Sequence, residues 1–442
     1  MCEKSFREYY KEQSSIPVYV FLGLFILSTM LQVINFIEPV AEALYNVRLI
    51  INCAVIILAP LYFCFQLIVW RRTILNCFIS LIIIFSVAAG WNYLGQTEEV
   101  FFTAASFILA LLAYGSDYRV ILKIYLTAHI LTVLGGAFGL IFRYATPRYK
   151  VFSTTGFSLG LIYPNHLGRM MFIILAITWY LWLQKKRALT TVMFFIVSYF
   201  MWTVVECKTI TFFMIGLPVC WWISTFLEGK KINRILKKIW NGILISMPFL
   251  CFIATYILGQ MRVWLDSLSH YGTGFYALLM RFISAGALFD KFGFPLFGTD
   301  IFKEDAPVEY MNGHHYNANI VDNAYVFYLI AIGLILLVIC MGWISFANYR
   351  AIRNHDHALI LLSVFMCGYG LIETVFFRFE HNFIFFYPLT ASAMMYMEQK
   401  KEVKTEVITE EAPGSEEPSE IPVTETDDEG DESPEGGLTE QL

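Results

Sequence analysis

Residues 322–346 read DNAYVFYLIAIGLILLVICMGWISF, an aspartate and an asparagine set directly against a long uncharged apolar run. A helix that crosses the hydrocarbon layer of a bilayer needs about 20 such residues. The polar pair at its start needs a separate reason. Asp and Asn are good helix N-caps, and a carboxylate at the mouth of an apolar helix is also a candidate for chemistry at a membrane surface. Just before this run lies residues 259–322, the longest stretch between two hydrophobic segments, which carries Arg281, His314, His315 and Tyr316.

The rest of the chain repeats the apolar pattern. Of its 442 residues 57% are hydrophobic, 17% aromatic and only 15% charged, where soluble domains hold about 45–50% apolar and about 25% charged residues. The expectation is an all-α, polytopic integral membrane protein. Spans are read at residues 16–35, 47–70, 74–93, 100–117, 120–142, 164–184, 188–206, 209–227, 238–258, 323–346, 357–377 and 382–398, about 12 transmembrane helices by length. The first run is long enough to stay as an anchor. Basic residues set the orientation. Connections bearing Lys4/Arg7/Lys11, Arg71-Arg72, Arg119/Lys123, Lys185-Lys186-Arg187, Lys230 to Lys238 and Arg350/Arg353 alternate with poorly basic ones. Both termini are then cytoplasmic.

The formal net charge of −5 averages two unlike parts. Residues 399–442 hold 15 acids against 3 lysines, a net of −12, which leaves +7 on the membrane domain, residues 1–398. The tail is rich in Glu, Asp, Pro, Gly, Ser and Thr and lacks aromatics, so it is expected to be a disordered acidic cytoplasmic tail. Nine cysteines occur without a C-x-x-C pair, which supports neither a zinc site nor a disulfide framework. No nucleic-acid partner is expected.

The two outer loops, 143–163 and 259–322, carry the chemical anomalies. Arg143, Arg148, Lys150 and Arg169 follow one another with no acid, and no Asp or Glu occurs between Asp117 and Glu206. Short outer loops are normally poor in Lys and Arg. Arginine offers a planar fork that matches phosphate oxygens, so an anionic ligand is one reading; headgroup contact by snorkelling side chains is the other. Arg169 falls inside a predicted span, where a charge costs roughly 2–3 kcal/mol or less. In GFSLGLIYPNHLG, residues 156–168, Pro164 can open a helix and Asn165 can hydrogen-bond nearby backbone. Leu278, Phe282 and Phe289 recur near helical spacing, which predicts a helix over Phe275 to Phe289 lying at the membrane interface with Arg281 at headgroup depth. Tyr271, Phe275, Tyr276 and Tyr316 can pack against sugar faces or simply fill the loop. Apart from Glu373, charges concentrate at the outer surface.

Arg143 and Arg148, then GFSLGLIYPNHLG, then Arg281 in an outer loop, then VDNAY before a glycine-bearing span together resemble the Wzy-like oligosaccharide repeat-unit polymerases. The likeness is greatest to the capsule and exopolysaccharide versions of Gram-positive bacteria, in a broader group with the O-antigen ligases. It covers roughly residues 20–397 in layout and residues 143–169 and 281–333 in motif. It implies a GT-C-like membrane fold with a large extracytoplasmic loop, in the bacterial plasma membrane. It also implies transfer of a glycan from an undecaprenyl-pyrophosphate carrier to the terminal sugar of another lipid-linked repeat unit. Candidate protein partners are a flippase and a chain-length regulator, besides the lipid bilayer. No nucleotide sugar or other cofactor is implied. In the ligase relatives a His, then Asn, Ser or Gln, then nine residues and a glycine mark the catalytic junction. Here Asp322 stands at the His position, Asn323 and Gly333 are in register, and Leu336 replaces a Thr-like position.

The chemistry fits the residue types. A sugar on pyrophosphate needs cations for the departing charge and one base for the attacking hydroxyl. Asp322 is the candidate base, with His314 and His315 as rivals. Arg143, Arg148, Asn165, Arg169, Arg281, Asn323 and Tyr316 are candidates to bind pyrophosphate and sugar. The loops hold no D-x-D cluster, so no metal is expected. The alternative is a flippase or transporter for the same lipid-linked oligosaccharide, which calls for charges along a path through the spans.

Overall fold

Long apolar segments satisfy their backbone internally by coiling into helices, because no water reaches them to satisfy it otherwise. The computed structural model describes residues 3–31, 33–47, 50, 51, 54, 58, 61, 109–113, 116–144, 148–151, 154–227, 234–269, 273–299, 307–311, 314–317, 322–378 and 380–390. Over these residues the chain is predominantly helical. The helices include α1 (Glu3–Leu31), α2 (Tyr118–Ile141), α3 (Pro164–Thr178), α4 (Arg187–Thr203), α5 (Lys208–Leu227), α6 (Arg234–Gln260), α7 (Arg262–Ser269), α8 (Thr273–Phe292), α9 (Ala324–Ile332), α10 (Leu334–Arg353) and α11 (His357–Gly370); residues 38–47 are helical as well. Helix α3 continues through a π-helical turn, Trp179–Leu183, and two 3-10 helices follow α11 at Thr374–Phe377 and Phe383–Leu389. Two antiparallel hairpins sit in the loops, β1 (Arg148–Val151) with β2 (Thr154–Phe157), and β3 (Pro307–Met311) with β4 (His314–Asn317).

Five helices among the described residues are long and apolar enough to cross a membrane: Tyr118–Ile141, Pro164–Leu183, Lys208–Phe226, Ile235–Gln260 and Leu334–Arg353. Shorter apolar helices lie at Ile16–Leu31, Arg187–Thr203 and His357–Gly370. Large apolar side chains such as Ile196, Tyr199, Phe212 and Phe226 point outward, while His129, Asn323 and Arg169 are buried. Polar groups inside and an apolar surface suit a hydrocarbon solvent.

Helix α3 approaches α5 closely because Gly168 has no side chain. A Cβ there would lie 2.6 Å from Ile210 Cγ2 and 2.7 Å from Cys207 Sγ. This contact brings the first turn of α3 beside the start of α5. The end of α6 and the end of α11 meet the start of α9 at Asn323, whose Nδ2 donates to Leu371 O at 2.9 Å and to Thr255 Oγ1 at 3.4 Å. One end of the helical body therefore gathers the starts of α3, α5 and α9 with the ends of α6 and α11. Elsewhere Tyr180 donates to Asp356, whose Oδ1 also accepts from Leu359 N at 3.0 Å and caps α11.

The structure changes several expected spans. Residues 323–346 do not form one helix. Gly333, at φ 89°, breaks the run into the short buried α9 and the longer α10. A Cβ at Gly333 would lie 2.4 Å from Leu296 O and 2.5 Å from Gly298 N, so the packed 293–298 turn requires glycine. Residues 357–377 give an α-helix only to Gly370; of the expected span 382–398, residues 383–389 form a buried 3-10 turn around Pro388, and 391–398 lie outside the described residues. The expected span 74–93 and the tail 399–442 lie outside the described residues, as does most of the expected spans 47–70 and 100–117. Most of the described residues of 259–322 are helical rather than loop. Its helix α8 does not lie free at an interface: it packs on α6 with Phe282, Ile283, Ala285, Leu288 and Phe289 buried.

Gly333→Ala is expected to lower the thermal midpoint of the purified protein, with about 1–3 kcal/mol of backbone strain added to the backbone clash. Gly342→Ala is the control, since nothing lies within 4 Å of a Cβ at that position; equal midpoints for the two variants would remove Gly333 as the determinant of the break.

Candidate functional site

Arg281, midway along α8, sits at the gathered end with its side chain only 12% exposed. Its Nη2 lies 3.4 Å from Asp322 Oδ2 and 3.9 Å from Glu373 Oε1, so one guanidinium holds two carboxylates. Asp322 precedes α9 and is half-exposed, whereas Glu373, just past α11, is buried. Asn165, exposed in the first turn of α3, donates from Nδ2 to Glu373 Oε1 at 3.2 Å and accepts from Cys207 Sγ at 3.2 Å. The mouth is thus formed by Asp322 and Asn165, and the floor by Arg281 and Glu373.

Arg169 lies one turn further along α3 and is buried. Its Nη2 meets His166 Nδ1, its Nε has no hydrogen-bond partner, and no carboxylate lies within ion-pair distance of it among the described residues. A buried donor left without a partner costs about 1–3 kcal/mol. Arg281 Nε is a second such atom. Tyr163, 40% exposed, stacks on His166 with ring centroids 5.4 Å apart and links this inner group to the surface.

Burial disfavours the charged carboxylates. It raises Asp322 above the ordinary range against the opposing pull of Arg281. It pushes Glu373 up from 4.5 to about 7, with the negative charge of Asp322 adding to burial and with Arg281 and Arg169 opposing. The folded state therefore holds the Glu373 proton more tightly than the unfolded chain does. The fold loses stability as pH rises from the unfolded value of 4.5 through about 7. Glu373→Gln carries no charge to bury, so its thermal midpoint should gain on wild type between about pH 5 and about pH 8, by up to about 3 kcal/mol. A pH-independent difference between the two proteins would show that Glu373 stays ionised throughout.

The structure sorts the sequence candidates. It sets Asn165 and Arg281 against Glu373, and Asp322 against Arg281, with Arg169 one turn past Asn165 on α3. Asn323 is a correction. It caps α9, accepting from Tyr325 N at 3.1 Å and Val326 N at 3.3 Å, and its amide also ties α9 to Leu371 and Thr255. Fully buried and with its donors and acceptor engaged, it frames the site instead of binding substrate. The cap is therefore Asn323 and not Asp322. Arg143 remains exposed at the end of α2 with positive φ. Arg148 lies on β1 and His314, His315 and Tyr316 on β4, where the backbone alone is described, so the reach of their side chains lies outside the described residues. The same holds for Phe275 and Tyr276 on α8, and Tyr271 is not described.

Glu373, His166 and Cys207 complete the cluster beyond the sequence candidates. An isolated acid in an otherwise apolar stretch was the available sign for Glu373; His166 and Cys207 carried no comparable sign. Among the described residues no group of three His, Cys, Asp or Glu is placed to hold a metal ion. No protein-family model, curated protein or solved structure matches the chain.

Proposed function

We propose that the chain is a membrane glycosyltransferase of the repeat-unit polymerase type, with a GT-C-like fold. It would transfer a glycan from undecaprenyl pyrophosphate to a second lipid-linked oligosaccharide at the outer face of the plasma membrane. The observation that carries this is the pairing at one end of an apolar helical body: a half-exposed carboxylate, Asp322, held on Arg281, and a buried guanidinium, Arg169, with no carboxylate in ion-pair contact among the described residues. An acceptor hydroxyl at the mouth gives its proton to Asp322 as its oxygen attacks the anomeric carbon. The bond from that carbon to the pyrophosphate oxygen breaks, and the electron pair leaves with the lipid pyrophosphate. Fixed cations facing the developing charge stabilise it without reorganisation, a role for Arg281 and Arg169. Glu373 and Asn165 hold Arg281 and the mouth in register.

A lipid-linked oligosaccharide flippase is the second reading, and the burial of Arg169 inside the helical body favours it, because transport paths retain buried charges. Purified protein in liposomes with lipid-linked repeat units separates the two. A ladder of longer glycans is expected. Movement of the lipid between leaflets with no ladder would exclude the polymerase.

A further inference from the structure

Behind the mouth lies a group of side chains drawn from three separate segments. His129 comes from α2, His166 and Arg169 from α3, and Arg378 and His381 from the stretch between the two 3-10 helices. His129 and His381 are buried and meet edge to face, with ring centroids 5.9 Å apart. The positive charge of Arg169 reaches both rings, and that of Arg378 reaches His381 and His166. Three buried nitrogens here have no hydrogen-bond partner among the described residues: Arg169 Nε, His129 Nε2 and His381 Nδ1. His129 Nδ1 is already engaged with Tyr125 O at 2.8 Å, which makes it the N–H and leaves Nε2 as the free position of that ring.

We infer that His129, His166, Arg169 and His381 form an inner site for a phosphoryl anion, separate from the Arg281 carboxylate pair. The site shares Arg169 with the proposed transfer and to that extent rests on it, but its anion chemistry needs no glycan. Two carboxylates act on Arg169 from nearby, Glu373 and Glu380. Glu373 lies 3.9 Å from Arg281 and Glu380 lies 4.0 Å from Arg378, so each has a nearer cation and Arg169 is left over. A cation would be repelled by both arginines. Water can satisfy a lone buried polar atom, but it does not neutralise a guanidinium. A phosphoryl group offers several acceptor oxygens to a forked donor, and it can bring a proton to the unprotonated ring nitrogen of His129.

The test is anion binding by the purified full chain in detergent, read from the thermal midpoint at matched ionic strength. Inorganic phosphate and undecaprenyl phosphate are titrated separately, with chloride as the reference. Saturating stabilisation by at least one phosphate is expected. His129→Phe and His381→Phe keep the ring contact and remove the unpartnered nitrogens, and each should bind at least tenfold more weakly; His381→Phe should fold at least as well as wild type, while His129→Phe also gives up the Nδ1 bond to Tyr125 O. His381→Asn keeps a polar donor and should fall between; it serves if a Phe variant does not fold. Stabilisation by inorganic phosphate supports a site open to free phosphate, and stabilisation by undecaprenyl phosphate alone supports a lipid headgroup site. No phosphate effect beyond that of chloride, or wild-type affinity in the histidine variants that fold, overturns the inference. Because no glycan is present, a chain that binds phosphate but makes no ladder refutes only the proposed function.

Discussion

Asp322→Asn is expected to slow glycan extension at least about a hundredfold, since general base catalysis contributes about 10²–10⁴-fold. Asparagine nearly keeps the shape of aspartate and removes the basic oxygen. The fold should tolerate the change, because the N-cap of α9 is Asn323, whose side chain already accepts from Tyr325 N and Val326 N. Binding of the lipid-linked donor should survive, with Arg169 and Arg281 still in place. Initial rates of ladder formation, set beside donor-induced thermal shifts, separate turnover from binding.

The competing bases make distinct predictions. Glu373 sits with a carboxyl pushed up to about 7, close to the pH at which a base works best, yet it is buried and held by Asn165. Asp322 has the open face that an acceptor hydroxyl needs. An active Asp322→Asn beside a dead Glu373→Gln would move the base inward. An active Asp322→Asn beside a dead His314→Ala or His315→Ala would move it to the β3–β4 hairpin.

The sequence made the membrane-type helices legible because a long apolar run leaves a chain in lipid few options. The meeting of Asn165 on α3 with the Arg281–Asp322 pair, through Glu373, was legible in part, since the sequence alone makes Asn165, Arg281 and Asp322 site candidates; Arg143, a candidate of the same loop, stays exposed at the end of α2. Three features were not. Gly333 stands out in the sequence only through the motif resemblance, and the packing of the 293–298 turn is what reveals that it breaks the span. Asp322 and Asn323 are interchangeable as caps by propensity, so which one caps depends on tertiary contacts to Thr255 and Leu371. The cluster around His129, His166 and His381 joins residues more than 200 positions apart, and no local period marks such a meeting.

Arg169 and Arg281 should respond to alanine with opposite effects on stability. Arg281 lies beside Asp322 and Glu373. Arg281→Ala leaves two facing carboxylates uncompensated, so the fold should lose stability along with activity. Arg169 has a buried Nε without a partner and no carboxylate in ion-pair contact among the described residues. Arg169→Ala removes a desolvated charge, and its thermal midpoint should match or exceed that of wild type. Its turnover should nevertheless fall by about 10²–10³-fold, the usual loss when one fixed donor to a developing anion is deleted. Arg169→Lys keeps the charge and loses the planar fork, so it should recover part of that activity. A destabilised Arg169→Ala with normal turnover per folded molecule would make Arg169 a structural residue, and a functional site at this end of the helices would then have to rest on Arg281, Asp322 and Glu373 alone.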